Sequence, residues 1–128
     1  CDYQFFDKLV LMTKRVKGKF GEDLAAKHLE SKGYKIIERN WTCHWGELDL
    51  IAEKDEVLVF VEVKFRTNTS YGETYEYIDS KKKKRLMRSI EQYLLKKDKF
   101  DVCWRLDAVC LTKVPGRVEI EHFEDALN

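Results

Sequence analysis

The run Val57-Leu58-Val59-Phe60-Val61-Glu62-Val63-Lys64-Phe65 decides the fold class. It is rich in β-branched and aromatic residues and apolar on both faces for most of its length, the pattern of a central strand covered on two sides. Side chains alternate across a strand with period two. Val57, Val59, Val61 and Val63 therefore share one face, and Leu58, Phe60, Glu62 and Lys64 share the other. A carboxylate and an ammonium follow two apolar side chains, near the strand's end. An unpaired buried charge is costly, so Glu62 needs a partner. Taken alone, the pair fits an ion pair at a surface strand end as well as it fits a functional site.

Working outward, Glu47 to Ala52 forms the preceding strand, with Leu48 and Leu50 on one face and Glu47, Asp49 and Ile51 on the other. Twelve residues separate Asp49 from Glu62. That is enough for the rest of one strand, a turn at Glu53–Asp55 and most of the next, so a hairpin would make Asp49 and Glu62 neighbours. Lys35 to Arg39 is an earlier strand. Phe20 to Lys32 reads as a helix closed by Gly33. On that helix Glu22 shares a stripe with Ala25, Ala26 and Leu29, while Phe20 and Leu24 point to the opposite side. Downstream, Asn68 to Glu76 reads as a loop. Lys81 to Lys97 is a second helix with Leu86, Ile90, Tyr93 and Leu94 on one stripe. Val102 to Leu111 is a fourth strand and Val118 to Ile120 a short fifth. The core order α-β-β-β-α-β predicts an α/β fold, a mixed sheet flanked by helices.

The chain has 128 residues, 44% hydrophobic and 37% charged. That length fits one domain, and the apolar share fills a core, which excludes a disordered chain. We expect a single domain over residues 18–128. Residues 1–17 read as an N-terminal extension, partly non-native, because Met12-Thr13-Lys14 has the look of a natural start. The net charge is +1, so bulk charge does not point to nucleic acid and the placement of the charges must decide. Four cysteines, at 1, 43, 103 and 110, form no CxxC pair; Cys103 and Cys110 read as buried thiols. No apolar run approaches a membrane span, and nothing resembles a secretory signal. A reducing cytoplasm is the expected setting.

Glu22, Asp49 and Glu62 thus sit where a helix, a strand and a second strand can converge. Grouped carboxylates repel and stay ionised together only around a cation. Hard divalent ions take oxygen ligands, and Mg²⁺ (or Mn²⁺) suits such a set. Lys64 beside it could orient or deprotonate a water, or neutralise a phosphate oxygen. These are the parts of metal-assisted phosphodiester hydrolysis. We therefore expect Asp49, Glu62 and Glu22 as metal ligands, with Lys64 completing the catalytic set. Glu47, close to the loop, reads as structural or as a supporting residue.

Asp49 followed by Glu62-Val63-Lys64 resembles the PD-(D/E)XK signature of restriction-endonuclease-like nucleases. The series Gly18 to Ala26, Gly33-Tyr34, Arg39-Asn40-Trp41, Gly46 to Ile51 and Val59 to Lys64 resembles the bacterial YraN family over about Gly18 to Asp107. The helix glutamate, strand aspartate and ExK strand are also similar to the archaeal Holliday-junction resolvases. The resemblance implies a restriction-endonuclease-like core and a Mg²⁺-dependent endonuclease acting on DNA, with branched DNA as a candidate substrate; the resolvase likeness also brings in a homodimer. The signature's proline is absent, Leu48 standing in its place. Arg66 and the Tyr71-Gly72 pair match the YraN-like pattern as well.

Lys81-Lys82-Lys83-Lys84-Arg85 opens the second helix. Cations there oppose the macrodipole at ~0.3–1 kcal/mol each, so the run does not serve the helix. It does make an anion-attracting patch. Lys81, Lys84, Arg85 and Arg66 are the expected nucleic-acid contacts, with a solvated helix end as the plain alternative. Trp41, Cys43, His44 and Trp45 cluster in one expected loop, and its tryptophans read as packing at a sheet edge or dimer face, or as a base-stacking platform. Asp107 with Arg105 reads as a structural ion pair, and His28 and His122 as surface residues. Two further readings of function stay open. One is a non-catalytic nucleic-acid-binding module that retains the nuclease fold. The other is an assembly factor that uses the tryptophan loop.

Overall fold

The valine-rich run does lie at the centre of the sheet. A computed structural model of the chain describes residues 14–67, 80–99 and 101–127. The elements are α1 (Lys14–Ser31), β1 (Lys35–Cys43), β2 (Gly46–Lys54), β3 (Val57–Thr67), α2 (Ser80–Lys96), β4 (Cys103–Val114) and β5 (Arg117–Phe123). The sheet order is β1-β2-β3-β4-β5. Neighbours pair antiparallel except β3 and β4, which run parallel. A parallel pair needs a crossover, and α2 lies within it. The fold is α/β, with the expected order extended by a full fifth strand.

Each helix covers one face. α1 lays Ala25, Ala26 and Leu29 against Leu50, Ala52, Val59 and Val61. α2 lays Leu86, Ile90 and Tyr93 against Ile51, Leu58, Phe60 and Leu106. Phe60 meets Tyr93 and Trp104 edge to face at centroid distances of 5.5 and 5.8 Å, a favoured aromatic geometry. α1 sits close to the sheet because Gly21 has no side chain: a Cβ there would lie 3.2 Å from the Phe65 ring. That approach carries Glu22, the next residue, toward the sheet.

Several local expectations are corrected. α1 begins at Lys14 and ends at Ser31, so the helix expected from Phe20 starts earlier in the chain. Leu24 packs against the core and Phe20 stacks edge-on with Phe65, because the buried arc of α1 is wider than one stripe. β1 runs on to Cys43, leaving only His44 and Trp45 in the turn, and Trp41 packs on Tyr93. The β2–β3 turn is Asp55-Glu56, both at positive φ (51° and 65°), as a two-residue hairpin turn requires. Cys103 is exposed at the start of β4, while Cys110 is buried. The Asn68–Glu76 loop, Tyr71 and Gly72 lie outside the described residues. Among the described residues, no helix is long and apolar enough to cross a membrane.

The largest correction concerns β2. Leu48 belongs with Ile51 on the α2 face, while Leu50 and Ala52 face α1. Strict alternation would place Leu48 with Leu50. The switch occurs opposite Asn40, which has φ of 52° between the pairs Arg39↔Leu50 and Trp41↔Leu48. A left-handed residue turns the strand and re-aims the side chains beyond it.

Away from this region, Asp107 is fully buried on β4. It accepts bonds from Arg105 (2.9 and 3.2 Å) and the Asp125 amide (2.9 Å), and pairs with His122 at 2.8 Å. His122 is thus part of an internal network, not a surface residue. Burial alone would raise the Asp107 pKa, but the bonds from His122, Arg105 and Asp125 hold it below the usual range. Between the native and unfolded values the unfolded chain binds more protons, so stability falls as pH drops through that window and is fully present above pH ~4. Asp107→Ala should cost ~3 kcal/mol at pH 7 by leaving several donors unpaired. Urea denaturation should show the gap from wild type closing as pH is lowered below ~4; an equal gap at pH 3 and pH 7 would contradict this network.

Candidate functional site

The β2–β3 ladder runs from Lys54↔Val57 to Leu50↔Val61 and is not continued to Asp49 and Glu62. β3 stays paired with β4 up to Thr67, whereas β2 stays paired with β1 down to Gly46. The two strands therefore part at Asp49. The Val63 amide, which would otherwise need a ladder acceptor, donates instead to Asp49 Oδ2 at 2.9 Å. That bond fixes the carboxylate at the fork.

Three carboxylates gather there. Oxygens of Glu22, Glu47 and Asp49 lie within 4.8 Å of one another. Glu22 arrives from α1, and Asn40 hydrogen-bonds its side chain. Asp49 also shares a side-chain hydrogen bond with Glu62. Glu62 is 5% exposed and ion-paired to Lys82 of α2. Lys64 stands beside Lys82 and Glu62. Trp45, Gly46, Glu47, Asp49, Glu62, Lys82, Arg85, Leu86 and Ser89 line a cavity of about 200 Å³ over this cluster.

The electrostatics follow from the crowding. Burial, then the hydrogen bond and repulsion from Glu62, push the Asp49 carboxyl up to about 9, with the Val63 amide opposing. Glu22 is raised by burial and by Glu47, against the Asn40 bond. The Lys64 ammonium is lowered by burial and by its neighbour Lys82. Burial would lower Lys82 too, but Glu62 raises it overall. The site is acid-rich at the fork and cationic along α2.

The expected residues thus divide. Glu22 and Asp49 come together with Glu47, which stands inside the carboxylate group rather than behind it. Glu62 joins through Asp49 but is engaged by Lys82. Lys64 is adjacent. Arg85 lines the cavity, Lys84 lines a neighbouring groove, Arg66 lies near Lys64, and Lys81 is exposed at the first turn of α2. Lys82 was missed, although its position carried a signal. It sits four residues before Leu86 and so extends the buried stripe of α2 back by one turn.

The donor set is all oxygen and the charge is crowded, which fits a hard divalent cation better than a soft one. Without a cation, the native Asp49 carboxyl holds its proton up to about 9, while an unfolded aspartate loses it near ~4. In that window the native state binds more protons, so this group's contribution to stability declines as pH rises. Asp49→Asn keeps the acceptor for Val63 and removes the titration. In EDTA at pH 8 the variant should melt at least ~4 °C above wild type, with the two converging near pH 4. Parallel melting curves across that range would rule out this account of Asp49.

The chain is similar in sequence to proteins of one family. A UPF0102 protein of Pelotomaculum thermopropionicum is 44% identical over 115 residues, covering 88% of this chain and 96% of its own. One from Flavobacterium psychrophilum is 40% identical over 109 residues, covering 85% and 91%. One from Carboxydothermus hydrogenoformans is 34% identical over 117 residues, covering 91% and 99%. The model of the uncharacterised protein family UPF0102 matches residues 21–111, a span that holds Glu22, Glu47, Asp49, Glu62, Lys64 and Lys82. The chain belongs to that YraN-like family, the uncharacterised protein family UPF0102.

Proposed function

We propose that this protein is a metal-dependent nuclease that hydrolyses phosphodiester bonds in DNA, with Glu22, Glu47 and Asp49 as the metal-binding carboxylates. The observation that carries the reading is the convergence of those three side chains, within 4.8 Å of one another, at a cavity that Glu47 and Asp49 line together with Lys82 and Arg85. Acids alone would bind a cation; acids facing Lys64, Lys82 and Arg85 suit a cation together with a phosphate. A bound Mg²⁺ or Mn²⁺ would polarise the phosphoryl oxygen and make an attacking water more acidic.

The chain's own residues divide the remaining work. Asp49 is held in place by Val63, so a ligand oxygen keeps one position. Lys64, its pKa lowered, is suited to accept a proton from water or to bond a phosphoryl oxygen. Arg85 and Lys82 offer charge-assisted bonds to phosphate oxygens. Glu62 balances Lys82 and supplies a fourth carboxylate at the fork. Branched DNA is the substrate class that the resolvase likeness adds.

One observation favours a second reading. Lys82 already pairs with Glu62, and burial with the neighbouring Glu62 favours the protonated form of Asp49, so two of the four carboxylates are balanced without a cation. A nucleic-acid-binding module that retains the fold without hydrolysis would look like this. Titration calorimetry separates the two. Under the first reading, Mn²⁺ or Mg²⁺ binds wild type, Asp49→Ala abolishes the binding heat, and proton release accompanies binding. Cleavage of branched, flapped or nicked DNA should then fall by at least ~100-fold in Asp49→Ala and Lys64→Ala. No metal binding in the presence of DNA, with DNA affinity intact in Asp49→Ala, would select the second reading.

A further inference from the structure

The tryptophan turn is not used by the chemistry above, yet it borders three openings beside α2. Trp45 lines the carboxylate cavity and two adjoining grooves of about 540 and 620 Å³. Volumes of this size accommodate organic groups. The residue remains 37% exposed. Its indole is flanked by the Arg88 guanidinium, 4.8 Å from the ring centroid, and by the His44 ring, edge-on at 5.0 Å. The hairpin end that carries it is tied to α2, where the Cys43 thiol meets Ser89 Oγ at 3.6 Å.

Charge identifies the occupant. Lys83, Lys84, Arg85 and Arg88 line the grooves, against one acid, Glu91. Leu94, Leu95, Met87 and Leu127 supply apolar wall. Cations that can bond phosphates, together with an aromatic plane that can take a base face, form the arrangement that holds single strands without reading their sequence. A duplex keeps its bases stacked inside and offers no free face to an indole. Arg85 belongs to both the cavity and a groove, so a backbone leaving one enters the other without a gap in positive charge.

We propose that Trp45 and Arg88 form a binding subsite for an unpaired nucleotide, and that the substrate is DNA with a single-stranded segment next to the phosphate in the cavity. The proposal rests on the reading that the cavity takes a DNA phosphate. The base stacks at Trp45, and the flanking phosphates bond Lys83, Lys84 and Arg88. Trp45 is a binding residue here and takes no part in bond cleavage.

The test uses the full chain in EDTA, so that affinity is read without hydrolysis. Fluorescence anisotropy compares a labelled blunt DNA duplex with the same duplex carrying a single-stranded tail. The tailed duplex should bind more tightly. Trp45→Ala should weaken binding to the tailed duplex by about tenfold, Trp45→Phe should retain most of the affinity, and both should leave the blunt duplex within about twofold. Arg88→Ala should weaken the tailed duplex preferentially. Thermal melts of each variant establish that it is folded. Equal loss on both DNAs, or no loss on either, overturns the subsite. So does sedimentation showing that wild type is a dimer that Trp45→Ala and Leu95→Ala each dissociate, since a second copy would then fill the groove. Tail preference in a chain that binds no metal and cleaves nothing would support the subsite while removing the hydrolytic reading. Cleavage without tail preference would do the reverse.

Discussion

A single hydrogen bond, from the Val63 amide to the Asp49 carboxyl, organises the candidate site of this molecule. Where two strands of a sheet part, each backbone amide at the fork loses its ladder partner and must find another acceptor or stay in water. Here the acceptor is a side chain of the departing strand. The bond lets β3 continue, paired to β4 alone, while β2 leaves with β1 to form the wall of the cavity. It also holds Asp49 facing three other carboxylates. Glu22 owes its place to the same end of the sheet, because α1 can approach there over Gly21.

That crowding has an electrostatic cost, and the protein meets it locally. Lys82 reaches back from the first turn of α2 to Glu62, Asn40 bonds Glu22, and Asp49 keeps its proton. The lysine run is unfavourable for the helix that carries it. Its placement makes sense only through what it faces, an acidic fork on one side and an open basic surface on the other. Asn40 serves twice. Its left-handed backbone re-aims the end of β1, and its side chain steadies the helix glutamate.

Much of this was legible in the residues. The period-two pattern of Val57 to Lys64 places β3 at the sheet centre and Glu62 and Lys64 on the face of Leu58 and Phe60, which the structure shows to be the one α2 covers. The twelve-residue spacing brought Asp49 beside Glu62. What alternation could not show was the turn of the strand at Asn40, because a left-handed asparagine leaves no mark on a hydrophobic pattern. Strict alternation therefore puts Leu48 on the wrong face. The Asp55-Glu56 turn was misplaced by a residue for a related reason: positive φ there is borne by residues other than glycine. β1 was cut short at Arg39, since Trp41 and Cys43 in a polar stretch look like loop until Tyr93 is seen to cover the tryptophan. Lys82 is hard to single out in the sequence, because a run of four lysines hides the one that shares a helical stripe with Leu86.

The net charge of +1 carried no hint of any of this, and the fold explains why. Around the cavity, acids and bases stand in two groups that touch at the Lys82–Glu62 pair. Glu22, Glu47 and Asp49 gather on the α1 and β2 side of the fork, while Lys82, Lys83, Lys84, Arg85 and Arg88 lie along α2. A sum over the chain cancels them. The field at the cavity does not cancel, because low-dielectric walls and short distances weight the nearest charges most. One side of the cavity is acidic and the other basic, and Trp45 is part of its lining. The strand fork makes that separation possible, by opening the sheet between a helix that delivers an acid and a helix that delivers bases.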